Sequence, residues 1–175
     1  MEGSSVTSPL DRIDMALLAC LQDDGRITNV ELARRVNLSP AATHVRVKRL
    51  EDEGFVKRYV ALLDQQKLGF DMTCFISVGL RVHQHTELEA FHAEIESIPE
   101  ILECYVVTGE FDYLLRAVVR SRAHLQMLVV NRITPIHGVS RVHTSIALSE
   151  VKSTTAIPLQ SDVDHALGPP RVGGT

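Results

Sequence analysis

The sequence lacks the features of a membrane or secreted protein. None of its apolar runs approaches the roughly 18 residues that a membrane-spanning helix requires. The opening residues, MEGSSVTSP, contain neither the basic nor the apolar segment of a secretory signal peptide. These absences predict a cytoplasmic protein with no membrane partner. The length of 175 residues is enough for one domain or for two small ones.

Cysteine is scarce, and its spacing excludes the common cysteine motifs. Cys20, Cys74 and Cys104 are odd in number, and no two of them form a CxxC pair. Each lies among apolar neighbours in the sequence. We therefore expect three buried thiols rather than a disulfide or a cysteine metal site.

Signatures of the common enzyme classes are also missing. The sequence contains no phosphate-binding glycine loop, nucleophile elbow, recognisable Cys/His signature or HExxH motif. His83, His85 and His92 leave a metal site as an alternative, because His-x-His on a strand places two imidazoles on one face. His85 is expected beyond the strand end, and no cysteine or carboxylate nearby completes a ligand set. We expect no enzyme activity, no cofactor and no metal.

The net charge of −4 is distributed unevenly along the chain. Residues 26–59 contain eight Lys and Arg and four Asp and Glu, which gives +4, whereas residues 1–25 and 61–175 each give −4. A basic segment on an acidic protein can neutralise phosphates on one face while limiting nonspecific binding. A solvated helix face has the same composition, so the charge alone does not identify a nucleic-acid partner.

A first helix is predicted where apolar residues recur at three- and four-residue intervals, from Leu10 to Leu21. Asp11 and Asp14 favour its start. Gly25 is suited to the left-handed conformation that commonly follows a helix. The pattern indicates an amphipathic helix with one buried face.

A second, short helix is predicted after Thr28. The Thr28 hydroxyl can accept from a backbone amide of the first turn while the Glu31 side chain reaches back to the amide of Thr28, which is a capping box. Asn37 can adopt the positive φ of a tight turn at moderate cost. The expected inner positions of this helix are Val30, Leu32, Ala33 and Val36.

A third helix is predicted from Pro40 to about Glu53. Ser39 is a good N-cap, Pro40 fits the first turn, and Gly54 can stop the helix. Its expected inward residues are Thr43, Val47 and Leu50.

A short helix, a tight turn and a following basic helix are typical of a helix-turn-helix unit, whose second helix enters the major groove of double-stranded DNA. Val45 could contact a thymine methyl, Arg46 a guanine or a phosphate, and Lys48 and Arg49 the phosphates. A three-helix packing domain with a solvated basic face is the alternative. The predicted DNA-contacting residues are Ser39, Ala41, Ala42, Val45, Arg46, Lys48 and Arg49.

Residues 55–70 are expected to connect two domains. Residues 55–63 suit an extended linker strand, and residues 64–70 a polar turn that contains glycine. Little periodicity remains beyond Pro158. We expect a disordered N-terminus over residues 1–9 and a loose tail over residues 158–175.

Residues 71–157 alternate between strand and helix patterns in the order βαββαβ. The two helices are expected to begin at caps Thr86 and Ser121 and to end before Pro99 and Pro135. This order predicts an α+β, ferredoxin-like domain with two helices on one face of an antiparallel sheet. An uncovered apolar face predicts at least a homodimer. The expected strands are residues 72–82, 101–107, 111–120 and 139–148, with Thr108-Gly109-Glu110 as a tight hairpin between the middle two.

From Leu10 to Ile157 the sequence resembles the leucine-responsive/AsnC family of transcription regulators, also called feast/famine regulators. The resemblance is carried by LDRIDMALLACLQDDGRITNVELARRVNLSPAATHVRVKRLEDEGFV and by VVTGEFDYLLRAVV, which contains the family's Gly-x-Phe-Asp-Tyr hairpin. It implies a winged-helix-like DNA-binding domain over residues 10–54 and a ferredoxin-like (RAM) domain for effector binding and oligomerisation over residues 71–157. It also implies dimers that assemble into octamers or similar rings, with amino acids bound where dimers meet.

Two positions depart from the family's pattern. Asn37 replaces the usual turn glycine but can adopt the same backbone. The third helix carries Ala41, Ala42 and Val45, which are less polar than in many relatives and leave the operator sequence open.

The hairpin is the candidate effector site. The Gly109 amide could donate to a ligand carboxylate, and the Asp112 carboxylate could accept from an α-ammonium group. Structural roles for both residues, as a turn glycine and an ordinary strand residue, are the alternative. By the family resemblance the pocket would comprise Tyr105, Thr108, Gly109, Glu110, Asp112, Tyr113, Thr144 and Ser145.

These observations predict a sequence-specific DNA-binding transcription regulator controlled by a small effector, most simply an amino acid, in the cytoplasm and associated with the nucleoid. The alternative is a ligand-binding or assembly protein with the same C-terminal fold and no DNA-dependent activity. The two differ in salt dependence, because DNA affinity that depends on phosphate contacts falls steeply as salt rises.

Overall fold

The computed structural model describes residues 10–81 and 85–159, with the side chains of His85 and Thr86 outside the description. The expected disordered N-terminus and most of the expected loose tail therefore lie outside the described residues. Two compact units are present: residues 10–62 with residues 153–159, and residues 63–152. In the described part of the chain, no helix has both the length and the apolar character needed to cross a membrane.

Three helices form the N-terminal unit, as predicted: α1 (Arg12–Asp23), α2 (Asn29–Arg35) and α3 (Pro40–Asp52). Asp11 caps α1 by accepting from the Asp14 amide at 2.8 Å, and Asp14 accepts in return from the Asp11 amide at 3.1 Å. The core of the unit contains Leu17, Leu18, Leu32 and Leu50.

Two details at the ends of these helices differ from the prediction. Gly25 does not have a positive φ; a Cβ at this position would lie 3.3 Å from Cδ1 of Tyr59, so the glycine permits close approach of the ring. Thr28 caps α2 by accepting from the Glu31 amide at 3.3 Å, but the Glu31 carboxylate binds Arg34 and Arg35 instead of returning to Thr28. The capping box at α2 was therefore wrong, because two guanidinium groups compete for the carboxylate.

The turn before α3 follows the prediction. Asn37 has a φ of 54°, and the Ser39 hydroxyl accepts from the Ala42 amide at 3.2 Å. Pro40 occupies the first turn of α3. The inward positions Thr43 and Leu50 are fully buried, whereas Val30 of α2, expected inside, is exposed.

Residues 55–63 form no strand, contrary to the prediction, because no strand of the described chain pairs with them. Val60, Leu62 and Leu63 are exposed there.

The end of the described chain returns to the N-terminal unit. The Ile157 amide donates to Oε1 of Gln22 at 2.7 Å, and the Gln22 side-chain amide donates to the Ile157 carbonyl at 3.2 Å.

The elements of the second unit are, in chain order, β1 (Met72–Leu80), α4 (His85–Glu96), β2 (Ile101–Val106), β3 (Tyr113–Val119), α5 (Arg122–Met127) and β4 (Val139–Ile146). The strands form an antiparallel sheet in the order β2-β3-β1-β4, which confirms the ferredoxin-like prediction. Helix α4 lies between β1 and β2 in the chain, and α5 follows β3.

Alternation along the strands separates a buried face of the sheet from an open one. On β1, Cys74, Ile76 and Val78 are fully buried in the core with Phe91 of α4. Between them, Phe75 is 39% exposed on the other face. Val82, expected at the end of β1, lies outside the described residues.

The predicted second helix of this unit has two parts. Ser121 caps α5 as expected, by accepting from the His124 amide at 3.1 Å. A π-helix over Leu128–Ile133 then continues it, and both of its end residues are buried. The amide of Thr134 donates to the carbonyl of Val129, five residues earlier, at 2.9 Å. A change to the wider π spacing was not predicted.

Two predictions were wrong: Thr86 as the N-cap of a helix and Cys104 as a buried thiol. Because α4 begins at His85, Thr86 is not its N-cap. Cys74 is buried and Cys20 partly buried, but Cys104 is exposed because β2 lies at the edge of the sheet. Burial raises the pKa of the Cys74 thiol.

Arg120, at the end of β3, holds the turn that precedes β1. Its Nη1 donates to the Leu68 carbonyl at 2.9 Å, and its guanidinium lies 4.2 Å from the centre of the Phe70 ring. Gly69 between them has a φ of 79°. The predicted glycine-containing turn is thus fixed to the sheet by one cationic side chain.

Candidate DNA-contacting surface and effector hairpin

The exposed face of α3 carries mostly small and apolar residues. Ala41, Ala42, Val45 and Lys48 are exposed, and Val45 has 68% of its surface accessible. His44, which sequence reasoning did not single out, is exposed beside them. This face can approach a groove closely and contact thymine methyl groups, as expected for Val45.

Arg46 and Arg49 are bound within the N-terminal unit. Nη1 of Arg46 donates to Oδ2 of Asp11 at 2.6 Å and to Oδ1 of Asp14 at 2.8 Å. Nη2 of Arg49 donates to the other oxygen of Asp14 at 2.6 Å. The side chain of Asp14 is only 1% exposed, whereas each arginine side chain is about a third exposed. The two arginines therefore connect α3 to α1, which restricts their freedom to reach bases.

The same contacts shift the pKa values of the groups involved. The Asp14 amide and then the Arg46 guanidinium hold the pKa of Asp11 below its usual range. Asp11 and then Asp14 raise the pKa of Arg46. These directions mean that the ion pairs favour the charged forms of both partners.

Two further residues of the predicted DNA-contacting set have local partners. Ser39 is the N-cap of α3, and its hydroxyl is used in the cap. Nζ of Lys48 lies 3.2 Å from Oδ2 of Asp52, one turn further along α3, and both side chains are largely exposed. An exposed pair of this kind is weak, so Lys48 can exchange Asp52 for a phosphate at little cost.

Three exposed cations of the basic segment were missed by the sequence reasoning: Arg26, Lys57 and Arg58. None of these side chains forms an ion pair with a described residue. The next residue, Tyr59, donates to Glu51 of α3 at 2.8 Å and so holds residues 57–58 close to the end of α3. Their place in the +4 segment was the signal that could have identified them.

The hairpin between β2 and β3 is longer than predicted. The paired strands end at Val106 and Tyr113, which leaves six residues between them, and the Val107 amide donates to the Asp112 carbonyl at 2.9 Å. Gly109 has a φ of 122° and is exposed, with no atom within 4 Å of the position of a Cβ. The loop therefore presents an accessible backbone at its tip.

Asp112 fixes the hairpin to β1. Its amide donates to the Val78 carbonyl at 3.0 Å, and its Oδ2 accepts from the Leu80 amide at 2.7 Å. One carboxylate oxygen thus has a structural role, as the alternative interpretation of the sequence anticipated, while Oδ1 has no hydrogen-bond partner among the described residues.

The two tyrosines of the predicted pocket point to opposite faces of the sheet. Tyr113 is 3% exposed and its hydroxyl is hydrogen-bonded to Nε2 of His92 at 2.8 Å, while burial raises its pKa. Tyr105 is 52% exposed and donates to Glu103 at 2.8 Å. The structure does not bring them together.

Thr144 and Ser145 are also separated from the hairpin. They lie on β4 opposite Ile76 and Phe75, and β1 lies between β4 and the hairpin strands. Another β4 residue, Arg141, reaches the hairpin instead.

Arg141 of β4 contacts Glu110 and Phe111 of the hairpin. Its Nη1 donates to Oε1 of Glu110 at 3.0 Å, its Nη2 donates to the Glu110 carbonyl at 2.8 Å, and its guanidinium lies 5.1 Å from the Phe111 ring centre. Sequence reasoning missed Arg141; the only signal was a cation in the alternating pattern of the last strand.

Most of the histidine cluster that the sequence left as an alternative metal site lies outside the described residues. His83 and the side chain of His85 lie outside the described residues, and His92 is bound to Tyr113. Within residues 10–81 and 85–159, no three Cys, His, Asp or Glu side chains are grouped so that they could hold a metal ion.

Comparison with known proteins matches both units. Residues 10–57 match the winged helix-turn-helix DNA-binding model, and residues 73–157 match the Lrp/AsnC ligand binding domain. The chain is 41% identical over 150 residues to the leucine-responsive regulatory protein of Rhizobium meliloti, covering 86% of this chain and 96% of the relative. It is 39% identical over 150 residues to the Bkd operon transcriptional regulator of Pseudomonas aeruginosa, covering 86% and 98%.

Solved structures agree with the sequence relatives. A transcriptional regulator from Neisseria meningitidis in complex with L-Met is 40% identical, has a TM-score of 0.83, and is matched over 97% of its length and 86% of this chain. Escherichia coli AsnC is 28% identical, with a TM-score of 0.79 over 99% of its length and 85% of this chain. The chain therefore belongs to the Lrp/AsnC family, and it is a transcription regulator with a helix-turn-helix DNA-binding domain and a ligand-binding domain.

Proposed function

We propose that an amino acid, bound at the hairpin where dimers meet, controls how this regulator binds double-stranded DNA. The observation that carries the proposal is the exposed Gly109 backbone, flanked by a free carboxylate oxygen of Asp112 and by the Arg141–Glu110 pair. An amino acid requires a donor for its carboxylate and an acceptor for its ammonium group, and this short segment supplies both.

The ligand carboxylate would accept from the Gly109 amide and from Arg141, while Asp112 and Glu110 would accept from the ammonium group. Because β1 separates Thr144 and Ser145 from the hairpin of the same chain, they would contribute to a pocket only from a neighbouring subunit. Tyr105 would border the pocket from the open face of β2. Thr108 would border the ligand from the loop itself, and Tyr113 would support the loop from the core.

Assembly follows from the open face of the sheet. Phe75 and Tyr105 are exposed there, and a second copy would cover them to form a homodimer, with dimers assembling further into an octamer or a similar ring. The Neisseria relative bound to L-Met supports the class of effector. We place the protein in the cytoplasm and on the nucleoid because its ligand is chromosomal DNA.

Control requires that the amino acid bind one assembly more tightly than another, because a ligand with equal affinity for both shifts neither. A change of assembly would alter the spacing of α3 helices along one duplex. Val45 and Lys48, with Ala41 and Ala42, would contact DNA, and Arg46 and Arg49 would hold α3 in position and contact phosphates with their exposed edges.

Selection of genomic fragments by the purified chain, at two salt concentrations and with a panel of L-amino acids, tests the proposal. An enriched, roughly palindromic site whose binding responds to one amino acid is expected. Binding that no amino acid alters would contradict effector control, and no enrichment at low salt would favour the alternative, a ligand-binding or assembly protein without DNA-dependent activity.

A further inference from the structure

A groove of about 300 Å³ lies between α4 and the π-helix, and none of the residues that line it belongs to the hairpin. Phe91, fully buried, and Ile136, nearly so, form its apolar part. The volume is at the lower end of small-molecule sites, which suits a ligand the size of an amino acid.

One wall of the groove is a stripe along α4. Glu87, Ala90, Phe91 and Glu94 follow one another at helical spacing and so share one face, and the last three line the groove. Oε1 of Glu87 lies 3.6 Å from Nε2 of His137, another lining residue. The other oxygen, Oε2, is buried and has no hydrogen-bond partner among the described residues. Because Oε2 of Glu87 is buried and Glu87 does not line the groove, the exposed carboxylate of Glu94 is the acceptor that this wall offers.

The opposite wall is supplied by the π-helix, a conformation that occurs frequently at functional sites. Its residues Asn131 and Arg132 line the groove and are exposed. Within the described chain, Arg132 forms no ion pair within 4 Å; its charge acts at longer range on the Glu100 carboxylate, which His124 binds at 3.0 Å. This wall therefore offers a cationic donor, Arg132, and the side-chain amide of Asn131.

Glu94 and Arg132 line the same groove yet form no ion pair with each other. Among the described residues, the groove therefore has an unpaired carboxylate on one wall and an unpaired guanidinium on the other. A ligand that carries both a positive and a negative charge could pair with each of them. A zwitterion satisfies both walls at once, whereas a simple anion or cation would leave one wall unpaired.

We propose that this groove binds an L-α-amino acid with an apolar side chain, as a second ligand site separate from the hairpin. Arg132 and Asn131 donate to its carboxylate, and Glu94 accepts from its ammonium group. The side chain of the ligand lies against Phe91 and Ile136.

Equilibrium dialysis of the full chain with radiolabelled L-leucine and, separately, L-methionine tests the proposal by counting bound ligand per chain. Arg132→Gln and Glu94→Gln probe the groove, and Gly109→Val probes the hairpin. Arg122→Gln is the matched control, because Arg122 is an exposed cation of α5 that does not line the groove. Circular dichroism melting confirms that each variant is folded.

For at least one probe we expect a site that survives Gly109→Val, that is weakened about tenfold or more by Arg132→Gln and by Glu94→Gln, and that Arg122→Gln leaves unchanged. Loss of all binding in Gly109→Val, with no effect of the groove variants, would overturn the groove site and leave the hairpin proposal intact. No measurable binding of either probe outside the hairpin would overturn it as well.

Discussion

Oδ2 of Asp14 accepts a hydrogen bond from Nη2 of Arg49 at 2.6 Å, and the aspartate side chain is almost completely buried. The other oxygen of Asp14 accepts from Arg46. One buried carboxylate on α1 thus binds two cations of α3. A buried charge is tolerated only when it is paired and hydrogen-bonded, so these contacts determine where α3 lies.

Replacement of Asp14 is expected to destabilise the N-terminal unit. Asp14→Ala removes charge-assisted bonds to two arginines and the return half of the α1 capping box, and we expect a loss of about 2 to 4 kcal/mol in the free energy of unfolding. Urea denaturation measures the change. Asp23→Ala, at the exposed end of α1, is the control; equal effects of the two variants would contradict a special role for Asp14.

Val45 is expected to contribute sequence preference rather than general affinity. Val45→Ala removes exposed methyl groups from the face of α3, so discrimination at one base pair should fall by about 1 kcal/mol while the salt dependence is unchanged. Competition binding with single-base operator variants measures this. Val30→Ala, an equally exposed valine on α2, should leave the preference unaltered, and a similar loss there would argue against Val45 as a base contact.

Lys57 and Arg58 are expected to contact phosphates. Lys57→Ala together with Arg58→Ala should weaken binding to all sequences and reduce the slope of log affinity against log salt by about two. Fluorescence anisotropy at several salt concentrations gives the slope. Lys67→Ala, an exposed cation of the other unit, is the control. A sequence-dependent effect with an unchanged slope would contradict a phosphate contact.

The stability that Glu31 contributes is expected to depend on pH. Hydrogen bonds from Arg34 and then Arg35 lower its pKa from 4.5 to about 2. Because the unfolded chain binds more protons in this interval, the contribution is fully present above pH 4.5 and is lost as the pH falls toward 2. The exposure of the pair makes the effect small and sensitive to salt.

Urea midpoints of the chain and of Glu31→Gln should therefore differ at neutral pH and converge in acid. Glu53→Gln is the matched control, since its carboxylate pairs with no described residue. A difference between the chain and Glu31→Gln that stays constant down to about pH 2 would show that the ion pairs do not contribute to stability.

Gly109→Val is expected to disturb the hairpin. A β-branched residue at a φ of 122° is strained even though space is available for its side chain, and we expect a cost of about 1 to 3 kcal/mol or a rearranged loop. Hydrogen exchange of residues 107–112 and the amino-acid response of DNA binding are the measurements. Gly54→Val, at another positive φ with open space around the Cβ position, is the control and should leave the amino-acid response unchanged; an unchanged response in Gly109→Val would remove the hairpin from the effector site.

Local signals predicted most of the secondary structure and less of the site. The helix start near Asp11, the cap at Ser39, the positive φ of Asn37 and the alternation in β1 depend on neighbours within a few residues, and all appear in the structure. The position of the Arg46 side chain depends instead on its hydrogen bonds to Asp11 and Asp14, which lie more than 30 residues earlier in the sequence. No periodicity in α3 could reveal that partnership.

The same distinction explains the errors in the second unit. Over Leu128–Ile133 the inward residues fit α and π spacing almost equally well, because six residues are too few to separate the two periods. Cys104 lies among apolar residues in the sequence, but its exposure depends on β2 being an edge strand, which is a property of the whole sheet.

The contact between the Arg120 guanidinium and the Phe70 ring connects the end of β3 to the turn before β1. β3 starts at the hairpin and ends beside Arg120, so one extended segment links the loop that carries Gly109 to the turn that leads into β1. Because β3 is paired with β1 on one side and with β2 on the other, the hairpin loop and the turn at Phe70 are held at a fixed separation by a stiff strand. The hairpin loop and the turn that leads into β1 therefore lie at opposite ends of one central strand.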